Sequence, residues 1–277
     1  MNLGELEAAQ ALRDLVTAAR TVRSPYRPLI ATDADGTLWE GDIGDDLFVE
    51  ALSHHPVGPL ALAGLREGAQ DVFGDEAPAD LRELALAFIG AYKVGRISIE
   101  RICQIQSEVL GDRTQAALDA LIARVAEQVA ARIRPSVRII VEEAALTNVP
   151  VHVVTGSLGA AVAMTLRHAG LAHATVSGAV LCIEGDRVLP KLAHPIPLHG
   201  AKVDALQAAA AWPPALGMGD GGWDANFLGG CAVALLVHPS AALLEAMIPV
   251  GGVMILRDGL VSPRPHDTRP GRDPSLP

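Results

Sequence analysis

The stretch Pro28-Leu29-Ile30-Ala31-Thr32-Asp33-Ala34-Asp35-Gly36-Thr37-Leu38 constrains this chain more than any other. A short apolar run stops at two carboxylates, a glycine and a threonine, the pattern of a buried strand running out into a loop. Side chains at i and i+2 of a strand point to one side, so Asp33 and Asp35 converge at its carboxyl end.

Two acids held that close have two explanations. Asp and Gly after a strand are ordinary turn residues. The alternative is a site for magnesium, a hard cation that takes carboxylate and carbonyl oxygens and uses a substrate phosphate as a ligand. One acid then attacks phosphorus while the other handles the leaving-group proton.

Half of the 277 residues are apolar but only 3% are aromatic, so Ala, Leu and Val must fill the core. A net charge of -10 argues against a nucleic-acid partner and against an anionic membrane surface. It leaves a phosphorylated small molecule open, because a bound metal reverses the local field. Cys103, Cys182 and Cys231 are far apart and lack CxxC spacing, which predicts buried thiols in a reducing compartment, the cytoplasm. Glu5 and Glu7 do not fit a signal peptide. His238, Pro239, Ser240, Glu245 and Pro249 interrupt the apolar stretch from Cys231 to Leu256, so it reads as strand, helix and strand with no membrane span.

Taken in order, Leu3, Leu6, Ala9, Leu12, Leu15 and Val16 predict a helix ahead of the first strand, these together forming a segment 1–39. From Glu40 to Asn148 no segment resembles a parallel strand, and residues 40–136 are set apart within it. Asp45 to Ser53, Pro59 to Phe73, Asp80 to Tyr92, Ile99 to Leu110 and Thr114 to Ile133 read as helices, too much for one crossover and better read as an inserted helical domain. Residues 137–261 alternate again. A helix over Val137 to Leu146 leads to a strand over Val149 to Val154, a helix over Gly159 to Ala169, and short strands over Thr175 to Ile183 and Val188 to Leu189. A helix over Gly200 to Ala211, strands over Ala215 to Met218 and Val233 to Val237, and a last strand over Met254 to Leu256 complete it. The Pro- and Arg-rich stretch 262–277 reads as a disordered tail. The fold class expected is α/β: a Rossmann-like, mainly parallel sheet with helices on both faces and an α-helical insertion. His54-His55 before Pro56 reads as a surface turn, and His152 as a core or interface histidine.

Sheets of this kind place ligands beyond the carboxyl ends of their strands. There stand Asp33 and Asp35, then Thr155 with Gly156, then Asp220 and Asp224, with Lys202 near the start of a helix. Singly, Thr155 reads as a helix cap, Lys202 as a solvated lysine and Gly219-Asp220-Gly221-Gly222 as a loop. Together they supply a nucleophile, an acid-base group, a metal site and donors to phosphoryl oxygens.

In this conjunction the chain resembles the haloacid dehalogenase superfamily of phosphohydrolases over roughly residues 29–257. Its first motif, DxDx[T/V], matches Asp33-Ala34-Asp35-Gly36-Thr37. A strand ending in Ser or Thr matches Val151 to Thr155, a lysine matches Lys202, and GDxxxD matches Gly219-Asp220-Gly221-Gly222-Trp223-Asp224. The resemblance implies that Asp33 forms an aspartyl-phosphate. It implies that Asp35 protonates the leaving group and later activates water, while its backbone carbonyl helps to bind magnesium. Asp220 would ligate the metal, Asp224 would support the metal's waters, and Thr155, Gly156 and Lys202 would hold the phosphoryl group. An acid at Asp35 favours a phosphate monoesterase. A phosphotransferase using the same intermediate, or an idle member that binds a metabolite or partner, remain alternatives.

The insertion lies where the superfamily's C1-type cap resides, which implies a small-molecule substrate. Thr155-Gly156-Ser157-Leu158 and Gly219-Asp220-Gly221 are nearest to the phosphoserine phosphatase-like branch. That branch reads an amino group with a glutamate where Asp42 stands here, amid Glu40, Asp45, Asp46 and Glu50; a solvated helix start is the other reading. Aligned on Gly95-Arg96-Ile97-Ser98-Ile99, the branch's carboxylate-binding arginine falls on Gln106, which cannot pair bidentately with a carboxylate. Trp223 replaces the branch's asparagine. The expected leaving group is thus neutral or cationic, such as an amino alcohol, near Asp42, with Arg101 able to restore carboxylate binding in another register.

Overall fold

The computed structural model describes residues 3–257 and 260–263. Helix α1 (Leu3–Arg20) turns Leu12, Val16 and Ala19 inward and packs on the body of the protein ahead of strand β1 (Arg27–Thr32). Five helices follow without a sheet strand between them: α2 (Ile43–His54), α3 (Pro59–Phe73), α4 (Leu81–Lys93), α5 (Ile99–Glu108) and α6 (Gln115–Ala130). Their starts have local causes. Asp42, Asp80, Ser98 and Thr114 each accept a backbone N–H three residues on, satisfying a donor that the first turn leaves free. Pro135 opens α7 (Pro135–Leu146), the position where its fixed φ suits a helix and its missing N–H costs nothing.

Beyond α7 lie β2 (Val151–Leu158), α8 (Gly159–His168), β3 (Thr175–Ala179), a hairpin of β4 (Leu181–Glu184) and β5 (Arg187–Leu192), and α9 (Gly200–Ala208). Strand β6 (Pro214–Gly219), α10 (Ala225–Leu228), β7 (Val233–Val237), α11 (Ala241–Ala246), β8 (Val253–Arg257) and β9 (Leu260–Pro263) complete the chain. The main sheet has the order β3-β2-β1-β6-β7-β8-β9, parallel throughout except for β9. Ile30 faces one apolar cluster while Leu29 and Ala31 face another, so β1 is buried on both sides.

Three local expectations are corrected. The stretch Thr175 to Ile183 is two strands, because the chain leaves the main sheet after Ala179 to form the hairpin, which turns at Gly185 with φ +62°. The strand expected over Val149 to Val154 begins at Val151 and runs through Thr155 to Leu158. Residues 262–263, expected in the tail, pair antiparallel with β8; the rest of the expected tail, 264–277, lies outside the described residues.

The hairpin also ties the insertion to the sheet domain. Asp112 N donates to the Val188 carbonyl at 2.8 Å, Val188 N to the Arg113 carbonyl at 2.8 Å, and Gln115 N to the Asp186 carbonyl at 2.7 Å. The Asp112 carboxylate accepts from Leu60 N at 2.6 Å and pairs with Arg187 at 3.2 Å. His152 is a core histidine, its ring nitrogens 2.8 Å from the Thr175 hydroxyl and 2.9 Å from the Ser177 hydroxyl. His54 and His55 end α2 beside Glu50. Among the described residues no helix is long and apolar enough to cross a membrane.

Candidate active site

Because β1 is flanked by β2 and β6, the ends of β1 and β6 that lead to Asp33 and Asp220 lie beside the part of β2 that carries Thr155. They open into a cavity of about 290 Å³. The sheet contributes Asp33, Asp35, Thr155, Gly156, Ser157, Lys202, Asp220 and Trp223 to its wall. The insertion supplies Asp42, Asp45, Tyr92, Lys93, Ile99 and Cys103.

Lys202 is the organising cation. Read alone as a solvated helix lysine, it is instead fully buried, its Nζ 2.6 Å from Asp33 Oδ1 and 2.6 Å from Asp224 Oδ1. Burial by itself lowers an ammonium's pKa; the charges of Asp224 and Asp33 outweigh it and hold Lys202 above the usual lysine value.

Carboxylate oxygens of Asp33, Asp220 and Asp224 lie within 4.8 Å of one another. Burial, then the Asp224 charge, pushes Asp33 up to about 8 despite Lys202. Burial, then Asp33 and Asp224, does the same for Asp220, also to about 8. With three carboxylates around one ammonium the cluster remains short of positive charge, and its carboxylate oxygens fit a hard divalent cation. Its members are not equivalent. Both oxygens of Asp224 are engaged, one by Lys202 and the other by the backbone N–H groups of Asp220 (3.1 Å) and Gly221 (3.0 Å). Asp220 Oδ1 accepts the Thr37 hydroxyl at 3.0 Å, and Asp33 Oδ2 carries no hydrogen bond among the described residues. Asp33 and Asp220 can therefore ligate directly, with Asp224 holding the loop and Lys202 in place. Gly36 is required here. Its φ is +73°, and a Cβ on it would sit 2.2 Å from Asp220 Oδ2.

Asp35 stands outside that cluster, so a metal role for it rests on its backbone carbonyl alone. Its Oδ1 accepts Trp39 Nε1 at 2.9 Å and Ile43 N at 2.7 Å, and its Oδ2 accepts the Ser157 hydroxyl at 2.6 Å. Burial, then the charge of Asp42, pushes its pKa up to about 7 against these three donors. A carboxyl group poised there can give a proton and take one back near neutrality.

Thr155 is buried, its hydroxyl accepting Ser157 N at 3.0 Å; Gly156 lines the cavity beside it. Asp42 caps α2 and also faces the cavity, pushed up to about 7 by burial and then by Asp45. Trp223 lines the cavity as well. Gln106 does not line it: its Nε2 donates to Asp45 Oδ1 at 2.7 Å, so the amide orients an acid of the wall instead of meeting substrate. Arg101 is also away from the cavity wall, 3.5 Å from the Gln104 amide oxygen. Sequence reasoning missed the partners of Asp35. Ser157 lay inside a quoted motif and Trp39 just after one, but the contacts they make were not signalled by spacing.

A family model for haloacid dehalogenase-like hydrolases matches residues 30–228. No curated protein matches the chain. Among solved structures, a protein of unknown function from Bordetella pertussis Tohama I is similar with a TM-score of 0.64 and 16% identity, over 83% of this chain and 97% of that one. A probable phosphoserine phosphatase from Vibrio cholerae, unliganded, is similar with a TM-score of 0.54 and 13% identity, over 81% of this chain and 59% of that one. Cytosolic 5'-nucleotidase IIIB bound to cytidine gives 0.52 and 13%, over 90% and 84%. At these identities the likeness is one of fold.

Proposed function

From the premise that the chain belongs to the haloacid dehalogenase-like hydrolase family, we propose that it is a magnesium-dependent phosphatase acting on a small-molecule phosphate monoester through an aspartyl-phosphate. The observation that carries this reading is the pairing of two unlike acids at one strand end. Asp33 is held by Lys202 with one oxygen unoccupied, and Asp35 is held apart by its own donors with a pKa near neutrality.

A carboxylate oxygen of Asp33 attacks phosphorus as the bond from phosphorus to the ester oxygen breaks. The proton of Asp35 goes to that oxygen, and the alcohol leaves neutral. Asp35, now a carboxylate, takes a proton from water as the water oxygen attacks the phosphoryl group, and the bond to Asp33 breaks to release phosphate. Thr155 and the backbone at Gly156 bind the phosphoryl oxygens. Lys202 favours the ionised form of Asp33 against the effect of burial and orients it. Asp33, Asp220 and the Asp35 carbonyl would hold magnesium, which when bound neutralises charge on the phosphoryl group. The helical insertion, residues 40–136 with the sheet domain resuming near 137, acts as the cap that closes over the leaving group.

Asp42 and Asp45 outnumber Lys93 in the cap's part of the wall and favour a cationic leaving group such as an amino alcohol. Trp223 and Tyr92 add aromatic faces that suit an ammonium. The test is phosphate release from a panel of phosphate monoesters with magnesium and with chelator, for wild type and Asp33→Asn. Magnesium-dependent release abolished by the substitution is expected. No release from any ester by folded wild type would instead favour transfer to an alcohol acceptor or a binding role.

A further inference from the structure

The partners of Asp35 go beyond what the assignment of an acid requires, and they distinguish its two oxygens. Oδ1 faces two N–H donors, the indole of Trp39 and the first backbone N–H of α2. Neither donor can accept a hydrogen bond, so an O–H has no partner on that side. Among the described residues Oδ2 faces only the Ser157 hydroxyl, which can donate or accept. The three donors come from three places: the loop after β1, the start of the insertion, and the end of β2.

We infer that Trp39 and Ser157 are positioning residues for the acid step, Trp39 anchoring Asp35 through Oδ1 so that Oδ2, partnered by Ser157, carries the proton to the leaving group. This rests on the hydrolase reading above. Trp39 is suited to the task because it is fully buried and pinned on both sides, bridged to Asp35 and to Ile133 by backbone pairing. Ser157 links two parts of the site, since its N–H donates to the Thr155 hydroxyl while its own hydroxyl reaches Asp35 across 122 positions of sequence. A side chain that only filled space would need neither the indole nitrogen nor the hydroxyl.

The test uses leaving groups of different basicity. An alkyl phosphate must receive a proton as its oxygen departs, whereas an activated aryl phosphate expels a stable phenolate without one. The quantity to compare is kcat/KM, which ends at phosphoryl transfer to Asp33 and so excludes the later step in which Asp35 activates water. For Trp39→Phe and, separately, Ser157→Ala, kcat/KM for the alkyl ester is expected to fall about ten- to a hundredfold. For the aryl ester it should change by less than about threefold, because general-acid assistance contributes little there. Equal losses on both esters would overturn the inference and assign the two residues to structure, as would unchanged values on both. Should Trp39→Phe not fold, Ser157→Ala decides alone, being half-buried and close to isosteric. Wild type that releases phosphate from neither ester would overturn the hydrolase reading and this inference with it, a result distinct from active wild type with equal losses.

Discussion

Lys202→Met tests the electrostatic core of the site most directly. Methionine keeps the length and the apolar stem but removes an ammonium that makes two 2.6 Å contacts with buried carboxylates. Each hydrogen bond to a charged group contributes about 1.5–3 kcal/mol, and breaking a buried pair by deleting one partner costs about 3–5 kcal/mol. The lower end applies here, because Asp33, already pushed up to about 8, can escape an unpaired charge by binding a proton. A loss of about 3 kcal/mol near pH 8 is therefore expected, measured as a lower urea midpoint with an unchanged slope. The sign with pH follows. Without Lys202 the folded pKa of Asp33 rises further above its unfolded value, so the folded state holds a proton that the unfolded state has lost, and stability falls as pH increases. The deficit relative to wild type should shrink at about pH 5, below the folded pKa values. A deficit under about 1 kcal/mol near pH 8, the range of an exposed pair, or one that does not change with pH, would refute this reasoning.

Three further outcomes are expected. Gly36→Ala should destabilise by about 1–2 kcal/mol from its positive φ and, by displacing Asp220, should abolish the thermal stabilisation that magnesium gives wild type; retention of that shift would count against the close approach. Thr37→Val should weaken magnesium binding about tenfold, read by calorimetry, because Asp220 Oδ1 loses its hydroxyl donor. In chelator, wild type should lose stability steadily as pH rises from about 4 towards about 8, since Asp35, Asp42, Asp33 and Asp220 bind protons in the folded state that the unfolded chain has released. Magnesium should oppose that loss, and thermal denaturation at several pH values with and without the ion would show a rising curve if the carboxylates were in fact paired.

The strand ends and helix starts were legible because their causes are local. An apolar run that stops at Asp33, or a Ser98 set three residues before Arg101 N, carries its explanation within a few positions. Lys202 was recoverable only through the conjunction of motifs, since its burial depends on Asp33 and Asp224 arriving from other strand ends. Gln106 lay on the expected helix but faces Asp45, because a helix's rotation about its axis is fixed by packing and not by an alignment lead-in. Trp39 carried no chemical signal at all. An indole reads as core even in this acidic loop, and a separation of four residues does not by itself say that its nitrogen reaches Asp35.

The docking of the hairpin on the loop between α5 and α6 bears on how the chain is made. During synthesis the helices of the insertion emerge first, yet the backbone partners of Asp112, Arg113 and Gln115 belong to residues 186–188. Strand β1 waits longer still for its second neighbour, β6. Contacts of such separation slow folding and leave apolar surface uncovered meanwhile. The nascent chain thus carries a helical segment without its seat until the ribosome has passed the hairpin, and truncations before that point should yield fragments held by chaperones rather than a free-standing cap.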